Sequence, residues 1–278
     1  MALSRRSFLQ STVKSVILLG MGNALPAFMP AGFILPARKD IRLRFALASD
    51  GHYGEPKSDY EARHRQMADW LNAEAKDRGL DFVVVNGDIF HNDPVFLPQA
   101  KTAWDRLEMP YYVSHGNHDM TAESHWKEVW GMPFDHGFEK KDAGFIILNT
   151  ADIKGVYTGP DLERTKVLLE QYSSHKHLFV FMHITPMKWT KYGIDRPDIV
   201  DLFSRQPNLK AVFHGHDHDE DGMREKDGKY YFWDAHVAGT WGTDYKGYRV
   251  VEVLKNGSVL TYQADPSAAK QVNNNRIA

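Results

Sequence analysis

The sequence HGHDH, residues 214–218, places three histidines and an aspartate within five positions. Histidine is the side chain that most often binds transition metals, and alternate residues of an extended turn point in similar directions. The same five residues could also form a solvated polar loop with fortuitous metal affinity. Further residues of these chemical types are scattered along the chain, at Asp50, His52, Asp88, Asn117, His118, Asp119 and His183.

These residues stand directly after apolar segments that have the length and composition of buried strands. The segments are residues 41–49, 80–88, 110–114, 177–183 and 209–214. Other strands are predicted at residues 144–150, 229–235, 248–254 and 258–263, and helices at 58–78 (with Ser58 as its cap), 98–107, 160–172 and 195–205. Ligands in α/β folds bind at the carboxyl ends of strands, so the polar residues are expected to converge.

The composition limits the kinds of site that the chain can form. It has 278 residues, enough for one large domain or two small ones, and no cysteine. The lack of cysteine excludes disulfides, iron–sulfur clusters and Cys-ligated zinc, so a transition-metal site must use His, Asp, Glu or Asn. The formal net charge is −2, without a clustered excess of basic residues. Binding to a nucleic-acid polymer is therefore not expected.

The N-terminal segment has the pattern of an export signal. Residues 4–10, SRRSFLQ, precede a mostly apolar stretch over residues 16–37. The paired Arg5 and Arg6 resemble the twin-arginine signal, whose export machinery carries folded proteins. A membrane-anchoring helix is the alternative, but Gly20, Gly22, Pro26, Pro30 and Pro36 interrupt the stretch. We predict a signal at 1–37, a domain at 38–265, a polar tail at 266–278, export to the periplasm, and no stable membrane span in the mature protein.

Each polar cluster has a simple structural explanation when it is taken alone. Asp50 and His52 could be turn formers, Asp88 a turn residue or helix cap, and His183 a hydrogen-bonded histidine at a strand end. Their order along the chain is D-x-H, GD, GNHD, H and GHxH, from Asp50 to His218. This order closely resembles the calcineurin-like metallophosphoesterase superfamily. The resemblance implies an α/β (α+β) fold, a four-layer αββα sandwich of two mixed β-sheets flanked by helices.

The resemblance also implies a role for each residue. Asp50, His52 and His218 match the ligands of a first metal, Asn117, His183 and His216 match those of a second, and Asp88 matches the carboxylate that bridges both. His118 matches the histidine that acts on the substrate, and Asp119 the acid that holds its ring. His214 precedes the shared motif and has no family role. His91 departs from the pattern, because many relatives have Asp or Asn there.

The implied function is that of an exported phosphoesterase with two divalent metal ions, Mn, Fe or Zn. A hydroxide shared by the metals is the expected nucleophile, so phosphorus inverts and no phosphoenzyme forms. Resemblance to small bacterial members favours a phosphodiesterase acting on a small phosphoester. The alternatives are a phosphomonoesterase or nucleotidase that scavenges phosphate, and a non-catalytic metal-binding protein. Trp189, Tyr192, Arg196 and Trp241 could form the substrate rim or simply pack in surface loops.

Overall fold

The computed structural model describes residues 17–19 and 36–267. Its strands are β1 (Ile17–Leu19), β2 (Ile41–Ala48), β3 (Phe82–Asn86), β4 (Tyr111–Ser114), β5 (His136–Lys140), β6 (Ala143–Leu148), β7 (His177–Met182), β8 (Leu209–His214), β9 (Met223–Lys226), β10 (Lys229–Trp233), β11 (Tyr248–Leu254) and β12 (Val259–Ala264). Its α-helices are α1 (Tyr60–Arg78), α2 (Leu97–Trp104), α3 (Glu123–Trp130), α4 (Leu162–Gln171) and α5 (Pro197–Ser204).

The strands form two mixed sheets of six strands each. The first has the order β1-β12-β11-β2-β3-β4, in which β2, β3 and β4 are parallel and the other neighbours pair antiparallel. The second has the order β5-β6-β7-β8-β10-β9, in which β6, β7, β8 and β10 are parallel. The carboxyl ends of the parallel strands therefore lie together within each sheet.

The two-residue period of the strands divides the core into layers. In β2, Phe45 packs against Phe145 and Phe179 of the second sheet, with ring centroids 5.4 and 5.3 Å apart. The alternate residues of β2, Ala46 and Ala48, belong instead to the core shared with α1, α2 and α3. Helices α4 and α5 cover the outer face of the second sheet. The predicted four-layer sandwich of two mixed sheets is confirmed.

Several element boundaries differ from the sequence prediction. Helix α1 begins at Tyr60, because the Ser58 hydroxyl donates to the Glu55 carbonyl in the preceding turn and does not cap the helix. The sequence analysis missed α3, β5 and β9. Helix α3 has eight residues and buries Trp126 and Trp130, too few apolar positions to show a helical period. Strands β5 and β9 lie at the edges of the second sheet and expose much of their length.

The predicted export signal at 1–37 lies outside the described residues, apart from residues 17–19 and 36–37. Residues 17–19 form β1, which pairs antiparallel with β12. The tail beyond residue 267 also lies outside them. Among the residues that the structure describes, no helix has the length and apolar character needed to cross a membrane.

A buried ionic cluster ties α1 to the first sheet. The Arg44 guanidinium of β2 lies 2.8 Å from the Glu252 carboxylate of β11, and also contacts Glu74 of α1. It donates to the hydroxyl of Tyr262 on β12 as well, at 2.8 Å. Removing one partner of such a buried pair leaves an uncompensated charge, which is far more costly than losing an exposed pair.

Strand β2 offers a matched test of this cluster. We expect Arg44→Ala to lower the free energy of unfolding by about 3–5 kcal/mol. Arg42→Ala is the control, because Arg42 pairs with Asp142 near the surface, where the two side chains are 41% and 32% exposed, and such pairs contribute about 0–1 kcal/mol. Urea unfolding measures both variants. Equal losses would contradict a stabilising role for the buried cluster.

Candidate metal centre

The loops that follow the parallel strands of both sheets meet at one place. Asp50 follows β2, Asp88 follows β3 and His183 follows β7, as expected from the sequence. Backbone hydrogen bonds join these loops, from the Asp50 amide to the Gly87 carbonyl and from the Gly215 amide to the His183 carbonyl, both at 3.1 Å. The convergence that the sequence predicted is therefore present in the structure.

A first group of possible ligands consists of Asp50, His52 and His218, whose ligand atoms all lie within 4.8 Å of one another. His218 Nε2 is 3.2 Å from Asp50 Oδ1, and His52 Nε2 is 3.0 Å from His218 Nε2. All three residues are buried. His52 Nε2 also lies 3.7 Å from Asp88 Oδ2, so Asp88 borders this group.

A second group consists of Asp88, His183 and His216, whose ligand atoms also lie within 4.8 Å of one another. His183 Nε2 is 3.1 Å from Asp88 Oδ2 and 3.7 Å from Asp50 Oδ1. Asn117 is adjacent, because the backbone amide of the next residue, His118, donates to Asp88 Oδ1 at 2.8 Å. Asp88 thus belongs to the second group and also borders the first.

The donor set fits a divalent transition metal. Asn117 Oδ1 and His216 Nε2 are buried without a hydrogen-bond partner in the described part of the chain. Such unpaired polar atoms are costly unless something binds them. His183 Nδ1 donates to the Asn86 carbonyl at 2.8 Å, which leaves Nε2 as the ring nitrogen that would bind a metal. Imidazole and carboxylate donors are those that Mn, Fe and Zn accept.

The charges within the cluster depend on one another. Burial alone would raise the pKa of Asp88, but the positive charge of His183, with smaller effects from His118 and His52, holds that pKa well below its usual value. Burial would likewise lower the pKa of His183, yet the charges of Asp88 and Asp50 raise it to about 10. The pKa of His216 falls to about 4 because of burial and the neighbouring His183 charge. The carboxylates therefore require positive charge beside them, which a metal cation would also supply.

The backbone around the ligands is unusually close packed. A Cβ atom at Gly215 would lie 1.8 Å from Ser49 Oγ and 2.6 Å from Asp50 Oδ2, so only glycine fits between the two sheets there. Asp50, Asp88 and His216 adopt left-handed backbone conformations with φ of 57°, 49° and 69°. Non-glycine residues rarely do so, and such strain is typically concentrated at functional sites.

His118 is positioned differently from the sequence interpretation. Its ring is half-buried, 4.9 Å from the His52 ring, and its Nδ1 donates to Asn92 Oδ1 at 2.8 Å. Asp119, which we expected to hold this ring, instead accepts hydrogen bonds from the backbone amides of Ile89, Phe90 and Gly116. That expectation is corrected: Asp119 fixes the loops around Asp88, and Asn92 orients the His118 ring. The sequence analysis missed Asn92, although it stands four residues after Asp88.

The two histidines without an assigned role differ from each other. His91 lies at the site, with its Nδ1 3.2 Å from His52 Nδ1 and its ring stacked on His118 at 4.7 Å and 15°. His214 donates from Nδ1 to the Met182 carbonyl at 3.0 Å and packs against Tyr231 and Trp233. His214 therefore supports the strands beneath the site.

Two phenol rings and an indole ring border the ligand histidines, and we call Tyr157, Tyr192 and Trp241 the aromatic wall. Two of the four proposed rim residues, Tyr192 and Trp241, belong to it. The other two lie elsewhere: Trp189 packs on Tyr231 and Trp233, and Arg196 binds Asp198 and the Pro160 carbonyl. Tyr157 was missed, because its loop carries no motif.

A sequence model of the calcineurin-like phosphoesterase family matches residues 43–220 of this chain. The match contains every predicted metal ligand together with His118 and Asp119. No curated protein sequence matches the chain.

Solved structures share the fold at low sequence identity. A dimetal phosphatase from Danio rerio is 11% identical, with a TM-score of 0.65, covering 81% of this chain and 97% of its own. GAP50 of Plasmodium, described as the anchor in the inner membrane complex, is 15% identical, with a TM-score of 0.60 and coverages of 84% and 87%. The calcineurin-like phosphoesterase YfkN from Bacillus subtilis is 12% identical, with a TM-score of 0.54 and coverages of 84% and 94%. At these identities the likeness concerns the fold alone.

The position of Asp88 between the two groups can be tested by metal binding. We expect Asp88→Asn to weaken binding at both positions by at least about tenfold, because the amide keeps the shape but loses the charge. Asn117→Ala should weaken only the ion of the second group. Metal content after dialysis against a range of free metal concentrations measures both effects. Asp93→Asn, at an exposed cap near the site, is the control, and full retention of both metals by Asp88→Asn would contradict the bridging position.

Proposed function

Because the chain belongs to the calcineurin-like phosphoesterase family, we propose that it hydrolyses small phosphodiesters with the help of two divalent metal ions. The observation that supports two ions is the position of Asp88 between two separate groups of buried donors. When bound, such ions would supply a water of lowered pKa and neutralise the charge of the phosphate oxygens.

The ligand residues are held in place before any substrate arrives. The Asp50 carboxylate accepts hydrogen bonds from the Ser49 hydroxyl at 2.5 Å and from the His216 amide at 3.0 Å. His183 is held through Asn86, whose side chain also donates to the Phe213 carbonyl of the second sheet at 3.2 Å. Such outer contacts orient ligand rings and fix their tautomers.

His118 is the residue suited to proton transfer. Since its Nδ1–H donates to Asn92 Oδ1, Nε2 is the ring nitrogen left to exchange a proton with the substrate. The ring is half-buried beside His52, at the border of the ligand groups. From there, Nε2 can deliver a proton to the departing ester oxygen, which is general acid catalysis.

Two features support a diester in preference to a monoester. In the described part of the chain, the ion-pair partners of Asp50 and Asp88 are all histidines, so no Lys or Arg there is paired to the central carboxylates. A monoester carries up to two negative charges near neutral pH and a diester carries one. The second feature is the aromatic wall, which gives a second organic group an apolar place to bind.

Hydrolysis of chromogenic esters tests this proposal. After chelation and re-addition of Mn, Fe or Zn, we expect bis(p-nitrophenyl) phosphate to be hydrolysed with a higher kcat/KM than p-nitrophenyl phosphate. His118→Ala should lower kcat about 10²–10⁴-fold while the metal content stays the same. Asn92→Ala should lower kcat about tenfold, because the ring loses its orientation. His125→Ala, a histidine of α3, is the matched control.

The outcomes separate the rival functions. A higher kcat/KM for the monoester would favour a phosphomonoesterase or nucleotidase. Two bound metals with no hydrolysis of either ester would favour a non-catalytic protein, and the shared fold of GAP50, described as an anchor, makes that control worthwhile. Unchanged hydrolysis by His118→Ala would refute the role of that residue.

We also propose export to the periplasm by the twin-arginine route, which rests on Arg5, Arg6 and the apolar stretch that follows them. The double variant Arg5→Lys, Arg6→Lys should stop translocation, because the export receptor of that route reads both guanidinium groups. Lys14→Arg, a conservative change in the same segment, is the control. Cell fractionation of the full chain measures the result, and normal export of the double variant would remove this part of the proposal.

A further inference from the structure

We propose that the aromatic wall binds a flat aromatic or heteroaromatic group of the substrate, the ester group that stays on phosphorus after hydrolysis. This inference rests on the proposed phosphodiesterase function and names the chemical class of its substrate. The residues that carry it are Tyr157, Tyr192 and Trp241, which lie beside the ligand histidines and belong to neither ligand group.

The wall contacts both ligand groups. The Trp241 indole stacks on His218 of the first group, with ring centroids 4.5 Å apart and planes 4° from parallel. Tyr157 meets His216 of the second group edge-on at 5.0 Å. Tyr192 contacts His216 at 5.8 Å and Trp241 at 5.9 Å. A phosphoryl group between the two ligand groups would therefore have this wall beside it.

The wall is exposed although it is apolar. One face of Trp241 covers His218, yet 43% of the residue remains accessible, and Tyr157 is 40% accessible. Large apolar side chains that are this exposed are few in the described part of the chain, and Ile153 and Val156 of the Tyr157 loop are two of the others. Apolar surface that is concentrated beside a polar site is typical of a ligand-binding surface.

The loop that carries Tyr157 is held in place and does not depend on a ligand for its shape. The Asp152 carboxylate accepts hydrogen bonds from the backbone amides of Lys154 and Val156, at 2.8 and 2.9 Å. Gly155 packs so closely that a Cβ atom there would lie 2.5 Å from the Asn117 carbonyl. The apolar side chains are thus fixed next to a residue of the metal centre, and little further ordering would oppose binding.

Another side of the centre has a different chemistry. His118, His91 and Asn92 lie next to His52 and offer ring nitrogens and an amide. A leaving group needs a proton donor, which this side supplies, whereas a retained group needs only binding energy, which the wall supplies. A flat ring suits the wall best, because it can pair with the exposed indole and phenol rings.

Binding of two phosphonates to the Mn-loaded full chain tests the wall without turnover. We expect the Kd of phenylphosphonate to be about tenfold lower than that of methylphosphonate. An aromatic pair, together with the apolar area that it buries, is expected to change the affinity by this factor. Trp241→Leu should remove most of this difference and Trp241→Phe should keep it. Val167→Ala, an exposed apolar residue of α4, is the control. Calorimetry gives each Kd, and metal analysis confirms that the variants remain loaded.

Equal Kd values for the two phosphonates in the wild type, or an unchanged ratio in Trp241→Leu, would overturn the inference. Equal weakening of both phosphonates in Trp241→Leu would also overturn it, since Trp241 would then only shield His218. Failure of the phosphodiesterase function has a different signature. In that case phenylphosphonate still binds more tightly than methylphosphonate, and Trp241→Leu still removes this difference. Neither chromogenic ester, however, is hydrolysed.

Discussion

Two carboxylates, Asp50 and Asp88, are buried in the seam between the two sheets, and the rest of the structure accommodates them. An isolated buried carboxylate is costly, so each needs positive charge and hydrogen-bond donors nearby. The donors come from both sheets: Ser49 and the His118 amide from the first, His183 and the His216 amide from the second. The same need explains why His52, His183 and His218, from three different loops, lie beside these carboxylates.

The seam also explains the local backbone. Ligands must approach from both sheets, which brings chains closer than side chains usually allow, and glycine occupies the closest position at Gly215. The phenylalanine-rich layer between the sheets, with Phe45 at its centre, sets the distance between them. A change of that layer would therefore alter the metal centre without touching a ligand.

The strands and the convergence of the polar residues at their ends could be predicted from local patterns in the sequence, whereas the four-layer sandwich and the ligand assignments were implied by the resemblance to the family. Apolar segments ended by polar residues indicate parallel strands, and their carboxyl ends indicate the site. The contacts of Asp119 and Asn92 could not be predicted in this way. Both residues lie in loops near Asp88, and whether a side chain turns toward the His118 ring or toward backbone amides depends on loop conformation. Helix α3 was too short for a periodic signal, and the exposed edge strands β5 and β9 lack the buried apolar run by which the other strands were predicted.

The metal centre has two unlike sides, and this asymmetry arises from different parts of the fold. The His91, Asn92 and His118 side comes from loops after β3 and β4 in the first sheet, which also carry Asp88 and Asn117. The aromatic wall comes from loops after β6, β7 and β10, elements of the second sheet. In the function proposed above, proton transfer to the leaving group and binding of the organic group are therefore assigned to loops of different sheets. On that proposal, loops of the second sheet could change the substrate preference while the first sheet keeps the proton donor, and motifs in the sequence would then indicate the reaction class more readily than the substrate.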